Sequence, residues 1–576
     1  MFATRLVPLV VTGIVMMAGE QAFPSRRSAD AVAAATTLGG LVLGLVMAAV
    51  SDGAYHDDGV AHYLYARWAW EDPRYLLDAW ARPGLTCLLF PAAGLGWVWC
   101  KLLIVVVSAL AVWLSYLSAR RLRLRLAAWV PLLCFVQPVF LVMSYDTLTE
   151  SAMAFYLALA IWLHVSRRPV WGAAVLSLCF VTRYESVALA LVWAVALVQA
   201  RVRPVAYGLL LWAPLIHNVL AVIYTDLFPV TYFFESPQLV EYGAGTPLTM
   251  MTRTMAAYGP AVAALGLVGC LGRWRSSYGW VVPACMAVHL AVHSAVYWLG
   301  THGSGGYPRF LVGVSPLVGI AAAGGLERLA HARPAARRTA VWTLALVVGV
   351  LWLGAELEGE PRDEAWIFLL ETVRPVVRVT AVVVIALAVW WLTMPGEQRR
   401  STRVPTPGRI LAILAVASAT IPLGFFVRPH GLGPSTRAIR ASVQWAKDQG
   451  LEGRPVFATN VWAAYFLDRR DVLLPPGSTQ PLDLAQPGTL FIWDAEYSPS
   501  ERFGITLEAV TGWGGDWRLV RANPVGEQAD SLVRVYERVG RHPPVPGGPS
   551  AEQRFGASGS GFDDTERESQ ASEDDV

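Results

Sequence analysis

Long apolar runs, separated by alternating basic and acidic segments, dominate this chain. Between residues 29 and 426 these runs recur at lengths that suit a membrane crossing, since a hydrocarbon core of roughly 30 Å needs about 20 apolar residues. In lipid, backbone amide and carbonyl groups are satisfied only within helices or a closed barrel, and uninterrupted runs of this length favour helices. A chain of 576 residues with 55% hydrophobic and 15% charged residues is also too apolar for a soluble protein. The sequence therefore predicts an α-helical, multi-pass membrane protein.

The placement of the charges predicts the orientation. Arginine clusters, such as residues 120–125 and 328–338, alternate with acidic segments such as residues 52–78 and 226–241. Because cytoplasmic loops carry an excess of positive charge, we expect the arginine clusters inside and the acidic loops outside. Run length and charge alternation together predict about thirteen crossings, an odd number that places the carboxyl-terminal part outside. The predicted crossings are residues 29–50, 97–118, 127–144, 148–166, 170–181, 186–200, 205–224, 258–272, 279–299, 310–325, 339–354, 376–394 and 410–426.

The predicted membrane domain, residues 29–426, contains one long outer loop and is preceded by a short apolar run. Residues 51–96 are too long for a simple connection and are rich in Trp, Tyr and Arg, which predicts an outer loop with helices in the membrane interface. The short apolar run within residues 1–28 resembles a signal-peptide core, but a membrane-surface helix, an extra helix or a misplaced start codon also explains it.

After residue 426 the composition becomes that of a soluble module. Strand-like and helix-like runs alternate there, which predicts a small extracytoplasmic α/β domain over residues 427–540. The strand-like runs are residues 455–458, 489–493, 517–520 and 531–536, and the helix-like runs are residues 435–449 and 461–467. The tail, residues 541–576, is rich in Pro, Gly, Ser and acidic residues, so we expect it to be disordered.

Composition also indicates which kinds of site the chain lacks and which membrane it occupies. The six cysteines lie in or beside apolar runs at no metal-ligand spacing, so neither disulfides nor a cysteine metal site is expected. No phosphate-cradling glycine loop lies between a strand and a helix, which disfavours a nucleotide-sugar donor and ATP-driven transport. No nucleic-acid partner is expected. Lysine is nearly absent, with Lys101 and Lys447 the exceptions, which is typical of a GC-rich prokaryotic genome and favours a bacterial or archaeal plasma membrane.

One pair of crossings is unusually short. The arginine pairs at residues 167–168 and 201–203 are both expected in the cytoplasm, yet only about thirty residues separate them, too few for two full crossings at 1.5 Å per residue. The turn at residues 182–185, Thr-Arg-Tyr-Glu, is therefore expected in a recess below the outer surface. Charged turns at that depth are tolerated where they line a polar cavity.

An acidic pair, Asp57 and Asp58, directly follows the first predicted crossing. Such a pair in an outer loop can simply be solvated, but carboxylates at a membrane helix end often mark a functional site. Here a Tyr-containing segment follows, and then Arg82 and Pro83 precede the second crossing. This arrangement resembles the first outer loop of the GT-C class glycosyltransferases, which include the protein O-mannosyltransferases and the lipid A aminoarabinose transferase.

Further motifs match that class in their order and sidedness. Residues 145–150, Tyr-Asp-Thr-Leu-Thr-Glu, resemble its second acidic position. Residues 182–185 are similar to its Thr-Arg-Pro-Glu turn, with Tyr184 in place of the proline. Residues 307–311, Tyr-Pro-Arg-Phe-Leu, resemble its Arg-Tyr-Leu signature, although the order around Arg309 departs from it. The predicted carboxyl-terminal domain also resembles the outer domain of many members.

The resemblance implies a GT-C fold and a hexosyl- or pentosyltransferase that moves a sugar from polyprenyl phosphate to an acceptor hydroxyl with inversion. The acceptor would be a glycan, a lipid or a protein. Asp57 would act as general base. Asp58 or Asp146 would hold a divalent metal ion or orient the acceptor.

Arginine suits the lipid phosphate, because a guanidinium stays charged and can donate to two phosphate oxygens at once. Arg82, Arg183 and Arg309 are the candidates, although each can instead snorkel at the membrane edge. Glu185 completes the candidate substrate-binding set, together with His302, which lies in a glycine-rich loop that can also be a plain flexible turn.

Other functions remain open. A secondary transporter or lipid flippase would use the charged turn around Arg183 as a midplane binding site, but the two halves of the chain show no clear repeat. A non-catalytic scaffold is a third possibility. His289 and His293 lie four residues apart on one predicted helix, which suits a metal, but without a Glu between them a packed or pore-facing pair is favoured.

Overall fold

The computed structural model describes most of the chain between residues 26 and 540. The described residues are 26–225, 228–230, 244–272, 274, 276–300, 305–331, 427–475, 477–500, 502–512, 516–525 and 528–540. The chain divides between Gly433 and Pro434 into two compact units, slightly after the predicted boundary at residue 427. The predicted crossings at residues 339–354, 376–394 and 410–426, the tail at 541–576 and almost all of residues 1–28 lie outside the described residues.

The first unit is helical. Its α-helices are α1 Arg26–Val50, α2 Asp57–Trp68, α3 Pro83–Ala93, α4 Trp97–Arg121, α5 Val130–Phe135, α6 Pro138–Met143, α7 Thr149–Val165, α8 Pro169–Phe180, α9 Leu189–Gln199, α10 Trp212–Thr225, α11 Thr249–Tyr258, α12 Pro260–Cys270, α13 Val281–Trp298 and α14 Ser315–His331. Short 3₁₀ helices connect or extend them at Pro73–Leu77, Ala127–Trp129, Tyr184–Ala188, Pro204–Leu210 and Pro308–Val314.

Several of these helices can cross a membrane. Within the described residues, four spans have the required length and apolar character, Arg27–Val50, Trp97–Arg121, Val281–Trp298 and Pro308–Leu329. A fifth is formed if Pro204–Leu210 and Trp212–Thr225, bent by 58°, act as one span. The chain is thus an integral membrane protein, as its sequence predicts, while the count of thirteen crossings stays a prediction.

Helix α1 lies at the edge of the unit and the span containing α14 lies at its centre. Leu38, Val42 and Val46 of α1 are about half exposed, at 59%, 51% and 49%, and their spacing of four residues places them on one helix face. That face suits contact with lipid. In contrast, the described side chains of the span ending at Leu329 are almost all buried.

The predicted short pair of crossings is present as α8 and α9. With twelve and eleven residues, these helices reach only about 16 to 18 Å at 1.5 Å per residue, well short of a hydrocarbon core. The turn between them contains Thr182, Arg183 and Ser186, all of which are buried. Its charged side chains therefore face protein rather than lipid.

The end of the first unit returns to the loop that follows α1. The backbone N–H of His430 donates to Ser51 Oγ at 2.8 Å, and the N–H of Gly53 donates to the carbonyl of His430 at 2.8 Å. A Cβ atom on Gly53 would lie 2.2 Å from the carbonyl oxygen of Gly431, so only glycine allows this approach. The imidazole of His430 also stacks on Tyr145, with ring centroids 4.5 Å apart. These contacts fix the loop that leads into α2.

The second unit has the predicted α/β character. Its elements are α15 Pro434–Asp448, β1 Val456–Ala458, α16 Val461–Leu467, α17 Gln480–Asp483, β2 Leu490–Asp494, α18 Leu507–Gly512, β3 Trp517–Val525 and β4 Gln528–Arg538. The four strands form one sheet in the order β1-β2-β4-β3, with β1 parallel to β2 and the other pairs antiparallel. Phe491 of β2 lies opposite Tyr536 of β4 and is fully buried in the core of the unit. The α-helix over residues 435–449 and the four strand-like runs are therefore confirmed.

Candidate active site

The acidic pair occupies the first turn of α2. His56 is the N-cap residue, and Asp57 and Asp58 follow it at the amino end of the helix. Negative side chains are favoured there, because the free N–H groups of the first turn give that end a partial positive charge. Both carboxylates are partly exposed, so they remain accessible to a ligand.

The buried carboxylate of Asp146 packs against the amino end of α2 and holds it in place. Its side chain is fully buried, with Oδ2 accepting the N–H of Tyr55 at 2.7 Å and Oδ1 accepting the N–H of Thr147 at 2.7 Å. A Cβ atom on Gly59 would lie 2.5 Å from Asp146 Oδ1, so the first turn of α2 rests against this carboxylate. The hydroxyl of Thr147 donates to the carbonyl of Gly59 at 2.6 Å. Asp146 therefore positions the acidic pair.

Arg309 links the acidic pair to the buried interior. It lies in the 3₁₀ helix Pro308–Val314, and its Nη2 donates to Asp58 Oδ2 at 2.9 Å. Its Nε lies 4.0 Å from Glu150 Oε1, an ion-pair distance without a hydrogen bond. Among the described residues, Nε and Nη1 of Arg309 have no hydrogen-bond acceptor. The guanidinium thus binds Asp58 through Nη2, while its other two donor atoms are available to a ligand.

Arg183 lies between two glutamates. Its Nη1 donates to Glu150 Oε1 at 2.7 Å, and its Nη2 donates to Glu185 Oε1 at 3.1 Å. The guanidinium lies over the ring of Phe310, 4.5 Å from the centroid. Glu150 is only 1% exposed. Such a buried carboxylate requires a cationic partner, and Arg183 supplies it.

Arg82 lies where the outer loop meets the Thr182 to Glu185 turn. Its guanidinium stacks over Tyr184, 4.3 Å from the ring centroid, and the Tyr184 hydroxyl donates to the carbonyl of Ala79 at 2.8 Å. The backbone of Arg82 has φ of 62°, a left-handed conformation that is uncommon for a residue with a side chain. Backbone strain of this kind is often kept at functional sites. The N–H of Gly84 then donates to Val181 O at 3.0 Å, which joins the two turns.

Two neighbours control the charge of Asp58. Burial acts to raise the pKa of Asp58, but His56 and Arg309 hold it well below the usual range. Burial and Arg309 act to lower the pKa of His56, yet Asp58 and Asp57 outweigh them and raise it. His56 Nδ1 lies 3.2 Å from Asp58 Oδ2. Asp58 is therefore a paired anion and a weak base.

The same helix contains a buried histidine whose titration we expect to affect stability. Burial lowers the pKa of His62 to about 4, even though the nearby Asp58 acts to raise it. Between pH 6.5, the ordinary pKa, and about 4, the unfolded chain binds a proton that the folded chain does not. Stability should therefore fall as the pH falls through this window, by about 3 kcal/mol in total.

Thermal melting of the purified protein between pH 4 and pH 7 measures this effect. The melting temperature of the wild type should drop on acidification, and the His62→Gln variant should show a shallower dependence because glutamine binds no proton. Equal slopes for the two proteins would contradict the assignment to His62.

The residues proposed for a divalent metal do not form a typical cation site. Both oxygens of Asp146 already accept backbone N–H groups, and Asp58 pairs with Arg309 and His56. Among the described residues, no group of three His, Cys, Asp or Glu side chains lies together as metal ligands would. The metal role of Asp58 and Asp146 stays a prediction that these contacts do not support.

The structure connects all but one of the predicted site residues. Asp57, Asp58 and Asp146 meet at α2, and Arg309 joins them to Arg183 and Glu185, while Arg82 contacts the same turn through Tyr184. His302 lies outside the described residues. Two partners in this network were not predicted, His56 and Glu150. Both could have been found from their positions in the sequence, since His56 directly precedes the pair and Glu150 lies four residues after Asp146, in the first turn of α7.

The fold of the chain is similar to that of solved structures. No protein-family model matches the chain, and no curated protein matches it in sequence. The fold is similar to that of ArnT from Cupriavidus metallidurans bound to undecaprenyl phosphate, with a TM-score of 0.59 and 14% identity, over 88% of this chain and 99% of that one. ArnT in the apo state gives a TM-score of 0.54 and 13% identity, over 89% and 100% of the two chains. An oligosaccharyltransferase from Archaeoglobus fulgidus, tethered to an acceptor peptide, gives a TM-score of 0.39 and 13% identity, over 75% of this chain and 63% of that one.

Proposed function

We propose that this chain, which has the GT-C fold, is a membrane glycosyltransferase that moves a sugar from a polyprenyl phosphate carrier to an acceptor hydroxyl with inversion. One observation carries the proposal. An accessible acidic pair is joined by Arg309 to the buried Glu150, Arg183 and Glu185 cluster, so carboxylates suited to act as a base lie beside guanidinium donors suited to phosphate. The undecaprenyl phosphate bound by ArnT supports a polyprenyl phosphate as the ligand of this fold.

Asp57 is the proposed general base. In an inverting transfer the acceptor oxygen attacks the anomeric carbon and forms the new glycosidic bond, while the bond from that carbon to the phosphate oxygen breaks. The hydroxyl proton passes to a carboxylate, and the electron pair of the broken bond stays on the departing polyprenyl phosphate. Asp58 is ill suited to take the proton, since its pKa is held low by His56 and Arg309. Asp57 is its partly exposed neighbour.

Arg309 and Arg82 are the proposed ligands of the leaving phosphate. Arg309 uses Nη2 for Asp58 and keeps Nε and Nη1 without acceptors among the described residues, so it can bind phosphate while it holds Asp58. Arg82 stacks on Tyr184 at the edge of the same cluster. Donors fixed in a site with little water stabilise the charge that develops on the leaving oxygen. Arg183 is less suited, because two glutamates already neutralise it.

The proposal includes the location. Donor lipid and acceptor, whether glycan, lipid or protein, would meet at the outer membrane face, and the second unit would be extracytoplasmic. A prokaryotic plasma membrane remains the expected site.

Binding and transfer can be measured on the purified full chain. We expect the protein in lipid nanodiscs to bind undecaprenyl phosphate and to release it from one member of a panel of undecaprenyl-phosphate-linked sugars, carrying labelled arabinose, mannose, glucose or N-acetylglucosamine. Cell-envelope glycans, lipids and proteins of the source cell serve as acceptors. Movement of these lipids across a bilayer without any transfer would favour a flippase instead, and absence of binding would refute the proposal.

Replacing Arg309 tests its phosphate role. We expect Arg309→Gln to weaken binding of undecaprenyl phosphate by about 10- to 150-fold, since a hydrogen bond to a charged group contributes about 1.5–3 kcal/mol. Arg74→Gln is the matched control, because Arg74 is an exposed arginine of the outer loop, residues 51–96, that pairs with Asp72 outside the proposed phosphate site. Similar affinities for Arg309→Gln and Arg74→Gln would remove Arg309 from the phosphate site.

A further inference from the structure

Two histidines of α13 lie next to the charged cluster, but their surroundings differ. His289 and His293 are both buried, at 3% and 1% exposure. His289 Nε2 lies 2.9 Å from the carbonyl oxygen of Phe310, so this ring has a backbone partner. Neither ring nitrogen of His293 has a hydrogen-bond partner among the described residues. The sequence favours a packed or pore-facing pair; packing accounts for His289 but leaves both ring nitrogens of His293 without a hydrogen-bond partner among the described residues.

Other polar atoms near His293 also lack partners. Glu185 uses Oε1 for Arg183, while its buried Oε2 and the buried Nε of Arg183 have no hydrogen-bond partner among the described residues. His293 interacts electrostatically with both Glu185 and Arg183. Its ring stacks on Phe310, with centroids 5.7 Å apart, and Arg183 lies over the same Phe310 ring. Buried donors and acceptors are costly to leave unpaired, so a set of them from separate elements indicates a ligand.

We infer that His293 and Glu185, with Nε of Arg183, bind the hydroxyl groups of the transferred sugar. The inference rests on the proposed function and deepens it, because it separates the part of the site that recognises the sugar from the part that binds phosphate. A sugar hydroxyl both donates and accepts, and this set offers a carboxylate acceptor, a guanidinium donor and an imidazole that in its neutral form does both.

The chemistry of the set distinguishes sugar from phosphate. The Oε2 atom of Glu185 can only accept when ionised, so it repels a phosphate oxygen and suits a hydroxyl proton. Arg309, in contrast, offers two donors and pairs with Asp58 beside the proposed base. Phosphate is therefore bound at Arg309, and the sugar extends toward His293 and Glu185. Phe310 provides an apolar surface between them, since both Arg309 and His293 contact its ring.

Comparing two lipids tests this inference. Affinities of the full chain in nanodiscs are measured for undecaprenyl phosphate and for the sugar-linked panel member that the wild type binds best. We expect His293→Phe and Glu185→Gln each to weaken binding of the sugar-linked lipid by about tenfold, the effect of one lost hydrogen bond, and to leave binding of undecaprenyl phosphate unchanged. His293→Gln should retain most of the affinity, because an amide also donates and accepts.

His164→Phe is the matched control for replacing a buried histidine. His164 is fully buried, and among the described residues neither of its ring nitrogens has a hydrogen-bond partner, but it lies fourteen residues beyond Glu150 on α7, about 21 Å along the helix. This variant should bind both lipids as the wild type does.

Each remaining outcome counts against the inference. Equal losses for both lipids in the His293 and Glu185 variants would assign these residues to the fold or to phosphate and overturn the inference, while the proposed function stands. Unchanged binding of both lipids would overturn it as well. A wild type that binds neither lipid would refute the inference together with the proposed function.

Discussion

Asp57→Asn should lower sugar transfer by about 10²- to 10⁴-fold, the range lost when a general base is removed. The amide keeps the size of the side chain and its place in the first turn of α2, but it cannot take the acceptor proton. Binding of undecaprenyl phosphate should be preserved, because the proposed phosphate donors lie on other segments. The decisive readout is therefore a collapse of kcat without a matching loss of lipid affinity.

Two neighbouring substitutions provide the controls. Asp52→Asn changes an exposed carboxylate of the same loop and should leave transfer unchanged. Asp58→Asn removes the ion pair with Arg309, so it should weaken lipid binding as well as transfer. Full activity in both Asp57→Asn and Asp58→Asn would refute the assignment of the acidic pair.

Arg183→Met should destabilise the membrane unit by about 3–5 kcal/mol, the effect of breaking a buried ion pair by removing one partner. Glu150 and Glu185 would be left with like charges in a buried site, at 2% and 12% side-chain exposure. Thermal unfolding in detergent, followed by size-exclusion chromatography, should show a lower melting temperature and aggregation at temperatures that the wild type tolerates.

A triple variant separates stability from function in this cluster. Combining Arg183→Met with Glu150→Gln and Glu185→Gln removes all three charges, so most of the stability should return, since buried ion pairs can be replaced at little cost. Transfer should stay low, because two of the three proposed sugar ligands, Arg183 and Glu185, are replaced. If Arg183→Met alone melts like the wild type, the cluster does not hold the fold together.

The sequence predicts the membrane helices well where the length of an apolar run, or the spacing between charged clusters, determines the helix. Residues 29–50 and 97–118 are continuous apolar runs, and they form α1 and α4 with nearly the predicted bounds. Arginine spacing predicts the short pair α8 and α9, because helix rise converts sequence distance into length. The GT-C resemblance, which rests on short motifs in a fixed order, is confirmed by the fold.

Two features were not predicted, one that the local sequence does indicate and one that depends on contacts between distant segments. Residues 127–144 are predicted as one crossing, but they form a 3₁₀ turn and two short helices that are interrupted at Gln137, before Pro138. Proline disfavours helix in the preceding residue, so this break was readable in the sequence. The ion pair between Arg183 and Glu150 could not be predicted from the sequence, because packing of α7 against α8 brings the two residues together.

The return of His430 to Ser51 also bears on how the protein is made. These residues are 379 positions apart, and their hydrogen bond helps to fix the loop that leads to Asp57. A growing polypeptide cannot form this contact until residue 430 has emerged from the ribosome. Helices α1 to α14 are synthesised long before that moment, so the acidic pair reaches its final geometry late in biogenesis. Nascent chains that stall before this residue should enter the bilayer as inert precursors.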